Sequence, residues 1–342
     1  MIALAHTAVL RTTALCLALL LSLFAVGCAG EPYQTVHTYA MGTACAFTVE
    51  TPARGEDGDG VPDLMSVLSD AEALLSHRKE GSLPALLLAQ GYAEGLDEAL
   101  LEALSLAEEL RSRTGGLFSL QILPLSTLWD FDAESPTPPT EAEIEAALAE
   151  MAGSSLTLGQ SYVLSIGAGL DLGALGKGYA ADRLAKVLRD KGESGLLAVG
   201  GSIAAVGSKE GSPWKVGVRD PFSGAQSKTL GTLVLTDAFV STSGSYEKTF
   251  TCDGKSYHHI LNPITGMPAE SDLISVTVIA ESGVLSDLLS TACFLVGSER
   301  AFSLASLYGA TVVAVTKEGE LLVDEDLKDV FVPGFGWEVT YR

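Results

Sequence analysis

The sequence predicts an α+β fold, a single domain in which mixed or antiparallel sheets are flanked by helices. Strand-like segments follow one another through the second half of the chain instead of alternating with helices, which disfavours a doubly wound parallel sheet. Helical segments carry apolar residues at three-to-four spacing, as at Leu100, Leu104, Ala107 and Leu110. With 342 residues, 47% of them hydrophobic, and 36 Gly, the chain has the composition of a packed protein rather than a disordered one. Its 43 acidic against 21 basic residues give a net charge of −22, so a phosphate polymer would meet a repelling field and nucleic-acid binding is disfavoured.

The N-terminus reads as an address. Arg11 precedes the apolar run Ala14 to Val26, 13 residues long, too short to span a hydrocarbon core of ~30 Å as a helix. It has the character of a signal-peptide core. The run ends in Ala25-Val26-Gly27-Cys28, which looks like a lipobox. Residues 1–27 are therefore expected to be a lipoprotein signal peptide, with Cys28 lipidated and the protein held at the extracytoplasmic face of the cell membrane. Ordinary secretory cleavage or an uncleaved anchor is the alternative. Residues 28–342 form the expected domain. Cys45, Cys252 and Cys293 lack C-x-x-C spacing and point to neither a disulfide framework nor a zinc site.

Along that domain, Ala40 to Glu50 reads as a strand and Asp63 to Ser76 as a helix. A helix over Asp97 to Arg113 stops at Gly115-Gly116. After the loop Ser135-Pro136-Thr137-Pro138-Pro139, Thr140 and Glu143 form a capping box that opens a helix to Met151. Leu156–Ser165 reads as a hairpin and Gly173 to Lys191 as a helix stopped by Gly192. Strands are expected at Leu196–Val206, Trp214–Val218, Thr232–Ser241, on either side of Asp253-Gly254, and at Ser275–Ala280. Helices from Ser282 to Val296 and around Glu299–Leu307 follow, then a Thr311–Asp324 hairpin.

Four segments can carry chemistry. Asp171 to Asp182 is a glycine-dense turn entering a helix, with Lys177 beside free N–H groups; this suits a phosphate, or the glycines allow close packing. It lacks the Walker A and G-x-G-x-x-G patterns. Gly200-Gly201-Ser202 follows a strand and can be a bulge. Val240 to Ser245 runs from a strand into small hydroxyl residues, without the G-x-S-x-G of a serine hydrolase; it suits hydrogen bonding to phosphate or simple turn formation. His258 and His259, adjacent on an extended segment, must face opposite ways, and Asn262-Pro263 and Thr265-Gly266 fix a turn after them. Asp287 and Thr291, four apart on a helix, share a face. Their hard oxygens suit Mg²⁺, or the Asp serves the helix dipole.

These blocks, in this order, resemble the FAD:protein FMN transferase family of ApbE-like lipoproteins. The resemblance runs from Met41-Gly42-Thr43 through Thr114-Gly115-Gly116-Leu117-Phe118-Ser119, the Asp171–Asp182 block and Val199-Gly200-Gly201-Ser202-Ile203 to Thr242-Ser243-Gly244. It ends in His259-Ile260-Leu261-Asn262-Pro263-Ile264-Thr265-Gly266 and Ser286-Asp287-Leu288-Leu289-Ser290-Thr291-Ala292. It implies an ApbE-like domain that splits FAD, moves the FMN half to a Thr or Ser hydroxyl of another protein, and releases AMP. The acceptors implied are subunits of membrane redox complexes or other extracytoplasmic flavoproteins. Met41, Leu117, Phe118, Ser119, Asp171, Lys177 and the backbone at Leu261 are implied to contact FAD. The Ala174 carbonyl, Asp287 and Thr291 are implied to hold Mg²⁺, and His259 to act as base on the acceptor hydroxyl. Ser119, Ser202, Asn262 and Arg78 depart from the family pattern, which has Asp at the first three positions and an aromatic at the fourth. An FAD pyrophosphatase giving FMN and AMP, or a non-catalytic flavin-binding lipoprotein, are the rival readings.

Overall fold

A computed structural model describes residues 32–51, 61–225 and 227–342; the expected signal segment and Cys28 lie outside the described residues. In chain order the elements begin with β1 (Tyr33–Ala40), β2 (Thr43–Glu50), α1 (Val61–Leu75), α2 (Leu83–Gln90), β3 (Tyr92–Glu94), α3 (Glu98–Arg113), α4 (Leu123–Trp129) and α5 (Glu141–Met151). Next come β4 (Ser155–Leu158), β5 (Tyr162–Ile166), α6 (Gly176–Lys191), β6 (Gly195–Val199), β7 (Ser202–Val206), β8 (Trp214–Arg219), β9 (Thr229–Leu235) and β10 (Ala238–Gly244). The chain continues with β11 (Thr249–Cys252), β12 (Lys255–His258), β13 (Leu273–Ala280), α7 (Gly283–Val296), α8 (Ser298–Ser306), β14 (Thr311–Thr316), β15 (Leu321–Val323), β16 (Phe331–Pro333) and β17 (Val339–Tyr341).

The α+β expectation holds. A nine-stranded sheet in the order β1-β2-β6-β7-β10-β13-β14-β15-β17 forms the backbone of the fold, and all its pairings are antiparallel except β15 with β17. Alternation along β10 shows how the sheet is covered. Phe239 belongs to the core under the helices, while Val240 belongs to the core shared with β8, β9 and β16. Side chains Ser241 and Ser243 therefore take the helical face. A third apolar cluster joins Leu125 and Trp129 of α4, Ile144 and Ala147 of α5, and Leu261.

Several predicted elements divide in two. The strand read from Ala40 is the second arm of the β1–β2 hairpin, turned by Met41 at φ 52° and Gly42 at φ 70°. Leu196–Val206 is the β6–β7 hairpin, so Gly200-Gly201 is a turn and not a bulge. Thr232–Ser241 is likewise split into β9 and β10 around Asp237, φ 49°. The capping box is present as read: Thr140 Oγ1 accepts from the Glu143 N–H at 3.4 Å, and the Thr140 N–H donates to Glu143 Oε2 at 2.8 Å. Asp253 and Gly254, both at positive φ, make the expected tight turn of β11–β12. Among the described residues, no helix is long and apolar enough to cross a membrane.

Candidate active site

The site is built where α6 and α7 meet. Gly178 and Gly283 allow that approach: a Cβ on Gly178 would lie 2.1 Å from the Gly283 carbonyl oxygen, and one on Gly283 would lie 2.3 Å from that of Gly178. Each helix then caps the other. Asp182, on α6, accepts from the N–H groups of Gly283 and Val284 at 2.7 and 2.8 Å. Asp287, on α7, accepts from the Gly178 N–H at 2.9 Å. The first turn of α6 has no side-chain cap from its own N-cap residue, Leu175; Asp287 supplies it, as carboxylates favourably do at a helix N-terminus.

This changes the reading of the glycine-dense turn. The N–H of Gly178 is spent on the protein's own carboxylate, so the turn is not an open anion cradle. As the third residue of α6, Gly178 has no carbonyl of its own helix to bond, and Asp287 supplies the acceptor. The Ala174 carbonyl, just before the helix, has no hydrogen-bond donor among the described residues. Asp171 folds the approach locally, its Oδ1 accepting from the Gly173 N–H at 2.8 Å. Lys177 Nζ donates to the Gly173 carbonyl at 3.1 Å and lies 4.0 Å from Asp287 Oδ1.

Asp287 is 4% exposed. Burial pushes its carboxyl above the usual carboxylate range, against the pull of Lys177, the Gly178 N–H and the Ser202 hydroxyl, which donates to Oδ1 at 3.1 Å. A carboxylate has about four lone-pair sites, and these contacts leave room for a cation. Among the described residues, no group of three or more His, Cys, Asp or Glu side chains gathers to hold a metal. A cation beside Asp287 would have to draw on neutral oxygens, and the two expected from the sequence are the Ala174 carbonyl and the hydroxyl of Thr291, one turn along α7. One buried carboxylate, a carbonyl and a hydroxyl are the hard donors that fit Mg²⁺, with water and phosphate oxygens completing its shell.

The other expected residues sort by environment. Met41 sits over the start of α6, its methyl carbon 3.2 Å from where a Gly176 Cβ would stand. Leu117 and Ser119 are half-buried, and the Ser119 hydroxyl accepts from the Gln121 N–H at 3.0 Å. Phe118 is 1% exposed, its ring part of the core, so it anchors its two neighbours. Leu261 is buried and bridges to Pro268. Asn262 Oδ1 accepts from the N–H groups of Ile264 and Thr265, which fixes the turn.

The two histidines diverge as alternation requires. His258 Nε2 meets the Ala269 carbonyl at 3.1 Å, and its ring packs edge-on to Phe294. His259 Nδ1 meets the Glu247 carbonyl at 3.0 Å. A carbonyl only accepts, so Nδ1 carries the proton and Nε2 keeps its lone pair. Surrounding protein, then the charges of Lys177 and Lys248, pull the His259 imidazole down to about 4. Lys177 thus lies close enough to Asp287 for an ion pair and close enough to His259 to be felt electrostatically. Arg78 pairs with Asp130 and Asp132, and Lys248 with Asp132; an aromatic side chain at position 78 could not make these ion pairs.

Sequence reasoning assigned no role to Asp182, nor to the hydroxyls of Ser286 and Ser290, and read Ser202 and Ser241 only as parts of a bulge and of a hydroxyl-rich segment suited to phosphate or a turn. Their signal was present only as polar residues inside apolar segments, such as Ser286 and Ser290 among the leucines of α7.

Comparison with known proteins follows the same lines. Residues 41–314 match the ApbE family. The chain is 31% identical over 287 residues to the FAD:protein FMN transferase of Treponema pallidum, covering 77% of this chain and 79% of that protein. It is 29% identical over 320 residues to the FAD:protein FMN transferase of Escherichia coli K12, covering 87% and 91%. Among solved structures, the ApbE protein of Thermotoga maritima superimposes with a TM-score of 0.76 at 29% identity, covering 86% of this chain and 98% of that one. The flavin transferase ApbE of Vibrio cholerae gives 0.71 at 25% identity, covering 88% and 96%. With the match running from the Met41 turn into β14, across both glycines of the α6–α7 contact and the Asp287 helix, the chain belongs to the ApbE family.

Proposed function

We propose that this chain transfers the FMN half of FAD to a Thr or Ser hydroxyl of a target flavoprotein and releases AMP. The observation that carries the reading is Asp287: a buried carboxylate inserted at the start of α6, 4.0 Å from Lys177. A site for an anionic nucleotide that presents its own carboxylate needs positive charge at that point. Asp287, Thr291 and the Ala174 carbonyl are the groups that would hold Mg²⁺. Bound there, the ion would neutralise charge on the diphosphate oxygens of FAD.

The chain's own residues supply the rest. Lys177 offers a cation to the diphosphate. Met41, Leu117, Ser119, Asp171 and the Leu261 backbone would contact the nucleotide, with Phe118 held in the core between Leu117 and Ser119. The acceptor hydroxyl attacks the phosphorus of the FMN half, the bond from that phosphorus to the bridging oxygen breaks, and AMP leaves with that oxygen. His259 Nε2 takes the hydroxyl proton. Its low basicity in the free protein owes part to Lys177, and a diphosphate that offsets the Lys177 charge makes His259 a stronger base when substrate is present.

The Cys28 pattern supports a lipid anchor at the extracytoplasmic face of the membrane, where subunits of membrane redox complexes or other exported flavoproteins would be the acceptors. Incubation with FAD, Mg²⁺ and an acceptor domain carrying a Ser/Thr-Gly-Ala-Ser/Thr site should give a fluorescent acceptor band on a denaturing gel. AMP should appear only with acceptor present; AMP release at the same rate without it would make the protein a pyrophosphatase instead.

A further inference from the structure

The face of β7 and β10 that meets α7 carries hydroxyls where an apolar interface would be cheaper, and they are connected. Ser202, Ser241, Ser286 and Ser290 are each 0% exposed, so their protons must go to one another or to nearby backbone and carboxylate oxygens. A hydroxyl has one proton to donate and two lone pairs to accept with, and that count orders both sets of contacts.

In the first set, Ser202 donates to Asp287 Oδ1 at 3.1 Å. Ser241 donates to Ser202 at 3.1 Å. Ser286, 2.8 Å from Ser241, donates its own proton to the Gly283 carbonyl at 3.0 Å. The two donors Ser241 and Ser202 run one way and end on the carboxylate. In the second set, Ser290 donates to the Asp287 backbone carbonyl at 2.9 Å. Ser243, 2.9 Å from Ser290, must then be the donor to it. Thr291, 3.0 Å from Ser243, must in turn donate to Ser243. The proton of Thr291 is drawn inward, and its lone pairs are left free for another partner.

We propose that Ser202 and Ser243 are positioning residues that pre-set the two side chains of the cation site, Ser202 by fixing the Asp287 carboxyl plane and Ser243 by fixing the Thr291 rotamer and taking its proton. This rests on the reading of Asp287 and Thr291 as metal-holding groups. It goes further by assigning the site's geometry to serines on the sheet that contact Asp287 and Thr291. Outer partners of metal ligands characteristically change affinity by about 10–100-fold when removed.

The test is direct binding of Mn²⁺, followed by the electron paramagnetic resonance of the free ion in the presence of AMP, with transfer activity not used as the readout. Ser202→Ala and Ser243→Ala should each weaken Mn²⁺ binding about 10–100-fold, and Ser243→Thr, which keeps the hydroxyl, should restore it. Thr277→Val removes a hydroxyl pair with Thr242 on the other face of the sheet and should leave Mn²⁺ affinity unchanged. If Ser202→Ala does not fold, Ser241→Ala keeps the group on Asp287 and should shift affinity in the same direction. Parent-like affinity in both Ala variants, with binding lost in Asp287→Asn, would overturn the positioning role alone. No Mn²⁺ binding by the parent, or an Asp287→Asn variant that binds like the parent, would overturn the metal reading on which it stands.

Discussion

Gly178→Ala puts the α6–α7 contact under load. The added Cβ would stand 2.1 Å from the Gly283 oxygen, 2.6 Å from its carbon and 2.7 Å from the Asp287 Cβ. Ordinary contacts between such atoms are about 3.5 Å, so α7 must retreat by more than an ångström or α6 must shift along it. Overpacking of that kind costs about 1–3 kcal/mol. Retreat also strips the Gly178 N–H from the Asp287 carboxylate, a charged hydrogen bond worth about 1.5–3 kcal/mol. Alanine in a helix recovers up to about 1 kcal/mol over glycine. The balance is a loss on the order of 3 kcal/mol, which in a chain of this size lowers the melting temperature by roughly 4–5 °C. Flavin transfer should fall more steeply than stability, because the displaced residue is Asp287 itself. Thermal unfolding by circular dichroism, with transfer measured below the transition, reads both. A variant at least as stable and as active as the parent would show that the two helices do not need the glycine, and would refute the cross-capped arrangement.

Other changes have defined outcomes. Asp287→Asn should abolish Mg²⁺-dependent transfer while the variant still melts cooperatively; a fully active variant would remove Asp287 from the site. Asp182→Ala strips a carboxylate from two N–H groups at the start of α7 and should cost about 1–2 kcal/mol, measured by urea unfolding. With burial pulling the His259 imidazole from its ordinary 6.5 down to about 4, the free protein keeps it neutral across physiological pH. The acid limb of kcat/KM should therefore fall near pH 4, and a limb near 6.5 would contradict its burial beside Lys177. The same shift means the unfolded chain takes up this proton first, so stability declines as pH falls from about 6.5 toward 4 and is unaffected by this group above that window. Thr140→Ala, which breaks the capping box of α5, should cost about 1 kcal/mol without touching transfer.

The elements legible in the sequence are those fixed by short-range hydrogen bonds. The Thr140–Glu143 box lies within one helical turn, and the Asp253-Gly254 turn within two residues. Misread segments lacked that local signal. Met41 occupies a left-handed conformation that no methionine advertises, so the β1–β2 turn was hidden. Gly200-Gly201 fits either a bulge or a turn until the pairing of β6 with β7 decides. Helix α2, Leu83–Gln90, is apolar on most sides, and α4 is seven residues long with Pro124 in its first turn; neither offers the contrast between faces on which periodicity depends.

The same division runs through the site. Asp287 and Thr291 could be paired by spacing alone, and the turn after His259 by Asn262. The partner of Asp287 lies 109 residues away at Gly178, and the partner of Ser202 is Asp287, 85 residues on. Only the folding of β7, β10, α6 and α7 into one layered unit brings these groups together. Of the glycines quoted for phosphate binding or packing, Gly178 turns out to serve helix-to-helix approach, a role that one strand-turn-helix segment cannot reveal without its partner helix.

The most direct measurement is the mass of a purified acceptor domain after incubation with FAD and Mg²⁺, with either the parent protein or Asp287→Asn. The parent should add FMN less one water to a single Ser or Thr and release one AMP for each, and the variant should leave the acceptor unmodified. An acceptor that gains no mass from the parent, or gains it equally from the variant, would contradict a flavin transferase built around the Asp287 cap.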